Sequence, residues 1–115
     1  MTARNTLITA LPYPVEQAIK KVGNNLRIAR LRRKQTIRET AEKIGTGPRA
    51  VRDAENGKAS TGVAVYAALL WAYDLLQPFH DLADPQADEE GSALAGIGKT
   101  PNRRARKSRG LNNDF

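Results

Sequence analysis

Thr36-Ile-Arg-Glu-Thr-Ala-Glu-Lys-Ile-Gly-Thr-Gly-Pro-Arg-Ala-Val-Arg-Asp-Ala-Glu-Asn-Gly57 is the stretch whose reading decides the fold. It opens with a capping box: the Thr36 hydroxyl accepts from the amide three residues on, and Glu39 reaches back to the Thr36 amide. Ile37, Thr40, Ala41 and Ile44 then recur on one face at helical spacing, and Gly45 stands where a left-handed residue stops a helix. A first helix is therefore predicted over 37–44. Gly47 offers the next start, with Pro48 at the first helical position, where its missing N–H costs nothing. A second helix follows over 48–56, with Val51 and Ala54 turned inward and Arg49, Ala50, Arg52 and Asp53 outward.

Two short helices joined by a glycine-bearing turn, in a chain of formal net charge +7, read as a helix-turn-helix that faces DNA. The charge is unevenly divided. Residues 1–60 carry 13 basic and 5 acidic side chains, residues 61–98 carry 6 acidic and no basic ones, and residues 99–115 carry 6 basic and 1 acidic. A basic half beside such a motif is the footprint of phosphate binding, which releases condensed counterions. The plainer alternative is an αα-hairpin with a solvated basic surface; the turn chemistry and the Glu55-Asn56-Gly57 ending speak against it.

At this point the chain resembles the Cro/repressor-like helix-turn-helix regulators, the Xre family, whose Glu-Asn-Gly after the recognition helix is matched by Glu55-Asn56-Gly57. The resemblance covers about residues 19–76 and implies an all-α, lambda-repressor-like fold of five helices. It also implies that Arg30, late in the preceding helix, pairs with Glu55 as a structural contact. The family usually has glutamine at the position of Ile37, whose amide binds a phosphate; isoleucine cannot do so. Phosphate contacts would then come from Arg32, Arg33, Lys34, Arg38 and Lys58, or from helix-terminal amides such as that of Arg49. The candidate DNA-binding set is Gly47, Pro48, Arg49, Arg52, Asp53, Arg33, Lys34, Arg38 and Lys58. Arg49 and Arg52 would read base edges or adjacent phosphates, and Asp53 either accepts from cytosine or pairs with Arg49.

Composition excludes other classes. The 115 residues make one small domain with tails, and the absence of cysteine rules out a disulfide framework or a thiolate metal site. The sole histidine, His80, reads as a surface or helix-end residue. No nucleophile, base and orienting group can be assembled, so no enzyme and no cofactor is expected. Gly96-Ile-Gly98-Lys99-Thr100 lacks the glycine spacing and preceding strand of a phosphate loop. Neither a membrane span nor a signal peptide is written, and a cytoplasmic, nucleoid-associated bacterial protein is expected.

Outside the motif, residues 1–14 are expected to form an extended arm broken by Pro12 and Pro14. From Val15 to about Arg33, Val15, Ala18, Ile19, Val22, Leu26 and Ala29 mark a helix, or two shorter ones if Gly23 interrupts it. Val63 to Tyr73 is apolar all round and must be covered all round. Val63, Tyr66, Leu70 and Tyr73 are assigned to the core, leaving Val65, Leu69, Ala72 and Leu76 for a homodimer interface, or for cover by Phe79, Leu82 and the N-terminal helix. A two-fold dimer would place two recognition helices about one turn of DNA apart. A last short helix is predicted over 78–83, closing a domain of residues 15–83. Residues 84–115 read as a flexible tail with a basic run, Lys99 to Arg109, and an ending in which Leu111 and Phe115 offer a docking peptide.

The Pro48-Arg-Ala-Val51 helix, the Val63 to Tyr73 helix and the basic tail ending Leu111-Asn-Asn-Asp-Phe115 together look like the HipB-like antitoxins that partner HipA-type toxins. The resemblance implies a dimeric repressor that binds operator DNA of its own operon and neutralises a serine/threonine kinase toxin, the tail holding the toxin through Leu111 and Phe115. Two rivals stay open: a free-standing prophage-type repressor without a toxin, and an RNA-binding or scaffolding protein, which would lack the aromatic platform that stacks bases.

Overall fold

The computed structural model describes residues 6–98, and every regular element among them is a helix: α1 (Thr6–Thr9), α2 (Tyr13–Arg32), α3 (Ile37–Ile44), α4 (Pro48–Glu55), α5 (Val63–Ala72), α6 (Gln77–His80) and α7 (Glu89–Gly98). The chain divides into a first unit ending at His80 and a second beginning at Asp81.

The motif forms as its local chemistry predicts. The Glu39 amide donates to Thr36 Oγ1 at 3.0 Å and the Thr36 amide to Glu39 Oε1 at 2.8 Å, which closes the capping box of α3. Gly45 ends that helix with φ 82°, and the amides of Gly45 and Thr46 both donate to Ala41 O at 2.9 Å. Gly47 then precedes α4, which stops at Glu55 with Asn56 as its cap. Gly57 is required twice over: its φ is 68°, and a Cβ there would lie 2.8 Å from Lys20 Cα on α2.

α2 is one uninterrupted helix of 20 residues, so Gly23 does not divide it. A side chain at Gly23 would drive into the backbone carbonyl of Ala54 and come within 2.7 Å of Glu55 O. The helix propensity that glycine forfeits, about 1 kcal/mol, is offset by letting α4 lie against α2. The extended arm is likewise corrected. Pro14 falls in the first turn of α2, where a missing N–H is no loss, and Thr6–Thr9 forms a single helical turn. Residues 1–5 of that arm lie outside the described residues.

In the first unit α4 packs against α2, α3 and α5, and α3 also packs against α5. The buried apolar core is Leu26, Ala29, Ala41, Val51, Ala54, Leu69 and Tyr73. Alanine at 41 and 54 keeps α3, α4 and their neighbours close, since a longer side chain at a helix contact would push the axes apart. Ile37, at the start of α3, is half-buried against this core.

The ends of α2 and α4 lie within two residues of those predicted, and two elements differ by more. The last helix of the first unit, α6, spans Gln77–His80 rather than 78–83. In the second unit, Glu89–Gly98 is helical where a flexible tail was expected. Asp88 explains the start of α7: its Oδ1 accepts from the Gly91 amide at 2.9 Å, and Glu89 and Glu90 sit in the first turn, at the positive end of the helix dipole. The glycines weigh against a helix in a sum of propensities, whereas a cap acts at one end. No helix among the described residues is long and apolar enough to cross a membrane.

Candidate nucleic-acid interface

α4 is short enough that its two faces are set by single residues. Val51, Ala54 and Glu55 are buried, while Arg49 and Arg52 stand in solvent, one helical turn apart on the opposite side. Neither arginine makes a hydrogen bond or ion pair among the described residues. Gly47 at the N-cap has no side chain to accept from the first amides, and Pro48 removes one donor. With the Ala50 N–H donating to Gly47 O at 3.2 Å, the start of α4 leaves the Arg49 N–H open at the positive end of the helix dipole, on the same residue as an exposed guanidinium. Gly47 and Pro48 are themselves exposed, so backbone approach from outside is open.

What holds α4 in this pose is an ion pair. The Arg30 guanidinium donates from Nε to Glu55 Oε2 at 2.6 Å and from a terminal nitrogen to Glu55 Oε1 at 3.0 Å, a two-pronged contact with both side chains buried. Its other terminal nitrogen donates to Gln35 O at 2.9 Å in the turn between α2 and α3. The side chain of Gln35 in turn accepts from the Thr40 hydroxyl at 3.1 Å. The hydrogen bond to Glu55 raises the Arg30 pKa against the opposing pull of burial, so the guanidinium stays charged. One side chain thus ties α2, the α2–α3 turn and the end of α4 together, in the pairing that the family resemblance implies.

The remaining candidates separate. Arg38, on the first turn of α3, and Lys34, in the α2–α3 turn, are exposed. Lys34 adopts φ 56°, the left-handed conformation that ends α2. Asp53 is half-buried and pairs with Lys58 at 3.8 Å, not with Arg49. Lys58 lies three residues past α4, close enough to fold back on the helix; Arg49, four residues before Asp53, has no such contact with it. Arg33 is engaged within the protein. It donates to Ala29 O and to Tyr73 O, both at 2.9 Å, and its guanidinium carbon stands 5.3 Å from the centre of the Tyr73 ring.

The proposed outer face of α5 is corrected. Leu69 is 0% exposed and belongs to the core, while Val65 and Ala72 are half-buried against that core and Leu76 is half-buried as well. Val63, assigned inward from the sequence, is instead 67% exposed, and Trp71 is 60% exposed. Leu75, just beyond the helix, is exposed too. The true outward stripe runs through Val63, Ala64, Trp71 and Leu75. His80 is exposed at the end of α6. Leu111 and Phe115 lie outside the described residues, as does the whole 99–115 segment.

Two residues named from the sequence have other roles in the structure. Gly23, expected to weaken α2, is where α4 approaches that helix closely, and a glycine inside a well-formed helix is the signal of such an approach. Arg33, expected among the DNA contacts, is bonded to backbone carbonyls, which leave no mark on sequence. Comparison of the chain with family models, with curated proteins and with solved structures found no match.

Proposed function

We propose that this chain is a sequence-specific DNA-binding repressor, with α3 and α4 as a helix-turn-helix and α4 as the helix that enters the major groove. One observation carries the reading: α4 buries Val51, Ala54 and Glu55 while holding Arg49 and Arg52 in solvent, without ion pairs among the described residues, beside an uncapped helix start. Arginine presents two donors in the geometry of guanine O6 and N7, and the open Arg49 amide at the helix start favours a phosphate oxygen. Helices α2 to α6 would correspond to a lambda-repressor-like five-helix domain. Exposed Lys34, Arg38 and Lys58 would supply phosphate contacts that set register without reading sequence.

The resemblance to HipB-like antitoxins extends the proposal. The protein would be a homodimer that autoregulates its operon and neutralises a HipA-like serine/threonine kinase toxin. The exposed Val63, Trp71 and Leu75 stripe supports a dimer contact on α5, since an apolar patch in water is relieved by a second copy.

Titration of the protein against DNA from upstream of its own gene, with competitor present, tests the first claim. Arg49→Ala is expected to cost about 1 to 3 kcal/mol and to relax one base position, while Lys58→Ala weakens all sequences alike and flattens the salt dependence. If neither substitution changes operator affinity, α4 is not the reading helix. Co-purification of the full chain, compared with a chain ending at Pro101, tests the second. A kinase-sized partner lost on truncation supports the antitoxin; a dimer alone supports a free-standing repressor.

A further inference from the structure

The C-terminal end of α5 has an unusual source of neutralisation. α5 contains no charged residue, so nothing on the helix itself meets the negative end of its dipole. Its last turn is closed by Asp74, held at φ 61°: Tyr73 N–H donates to Leu69 O and Leu70 O, Asp74 N–H to Trp71 O at 3.0 Å, and Leu75 N–H to Leu70 O at 2.8 Å. That pattern satisfies the carbonyls of residues 69, 70 and 71 and leaves those of Ala72 and Tyr73. These two are the ones that cations from other helices reach. Arg33, at the end of α2, donates to Tyr73 O at 2.9 Å, and Lys43, in the last turn of α3, donates to Ala72 O at 3.4 Å.

We infer that Arg33 is a positioning residue: it clamps the end of α5 to the end of α2 and is not one of the phosphate ligands of the basic Arg32-Arg33-Lys34 cluster. The cluster then splits by role. All three residues are exposed, but Arg32 and Lys34 make no side-chain hydrogen bond or ion pair among the described residues. Arg33 makes two hydrogen bonds to carbonyls of different helices and lies over the Tyr73 ring. To reach a phosphate it would have to give up the contact that holds α5. A lysine could keep the charge but not the fork, since a single ammonium on a flexible stem does not span two carbonyls and stack on a ring as a planar guanidinium does. Lys43 reaches the neighbouring carbonyl with one longer, exposed bond, and so holds α5 less firmly.

Where the clamp concerns DNA it rests on the repressor reading, but its first test does not. The chain has one tryptophan, Trp71, two residues before Tyr73 on the clamped helix, and its emission and acrylamide quenching report where the end of α5 sits. The full chain carrying Arg33→Ala is expected to change both signals in the native state and to lower Tm by about 5 °C. Arg33→Lys should restore neither, and Arg32→Ala and Lys34→Ala should leave both as in the wild type. Lys43→Ala should move the Trp71 signal in the same direction by less. In the salt dependence of DNA binding, Arg32→Ala and Lys34→Ala each reduce the slope by about 1, whereas Arg33→Ala leaves it unchanged. A wild-type Trp71 signal in Arg33→Ala, or a slope reduced as in Arg32→Ala and rescued by Arg33→Lys, overturns the inference. Should Arg33→Ala fail to fold, Arg33→Lys decides by the same signals: a wild-type Trp71 spectrum in that variant refutes the clamp. If the wild type binds no DNA at all, the repressor reading falls while the Trp71 measurement still decides the clamp.

Discussion

α4 and α5 are consecutive helices packed against each other, and they are specified in opposite ways. α4 has eight residues with polar and apolar positions so sharply divided that its inward face follows from spacing alone: Val51 and Ala54 in, Arg49 and Arg52 out. α5 has ten residues and no charge, and its orientation is set only when Leu69 goes into the core and Val63 and Trp71 do not. A helix advertises its burial by contrast between its faces and not by total hydrophobicity. A uniformly apolar helix leaves its rotation to its neighbours.

The strongest way to break the comparison is to release α4 from its tether. Arg30→Ala strands the Glu55 carboxylate in a buried site and is expected to cost about 3 to 5 kcal/mol in urea unfolding. A loss below about 1 kcal/mol would mean that the pair does not hold α4. Within α5, Leu69→Ala should cost about 2 to 5 kcal/mol as a core cavity, while Val63→Ala should stay within about 0.5 kcal/mol as a surface change. Equal effects would show that α5 has no preferred face.

Gly23→Ala sharpens the same contrast from the side of α2. Alanine is the better helix former by about 1 kcal/mol, yet the added methyl would meet the Ala54 and Glu55 carbonyls, so a net loss of about 1 to 3 kcal/mol is expected. A gain in stability would mean that α4 does not lie where it is described. The smallest effect is on pH. Burial pushes the Tyr73 phenol up from its ordinary value of about 10. Its neutral form is thus favoured in the folded state, and the associated stability is complete below that ordinary value and lost as pH rises through the folded-state pKa. Tyr73→Phe should blunt this alkaline loss in a stability-against-pH series.

The legible parts of the molecule share one property: each is decided by residues within a turn or two of one another. The α3 capping box, the Gly45 stop and the Gly47-Pro48 start are local chemistry, and they appear where the sequence puts them. The candidate site was readable for Arg49 and Arg52 because the period of α4 turns them outward. It was misread for Asp53, whose partner Lys58 lies beyond the helix, and for α7, where one cap at Asp88 outweighs the glycines that follow.

Residue order alone predicts that the described chain is helical, where α3 begins and ends, where α4 begins, and which side of α4 carries arginine. Local hydrogen bonds and periodicity settle those without reference to the rest of the chain. Packing alone settles that Leu69 and not Val63 enters the core, that Gly23 is the gap into which α4 fits, and that Arg33, exposed like Arg32, is bonded to the end of α5. The first depends on how neighbouring helices turn a uniformly apolar one, and the other two on backbone atoms of a distant segment, the carbonyls of Ala54, Glu55 and Tyr73. Every residue type carries the same carbonyl, so no pattern of side chains could have announced them.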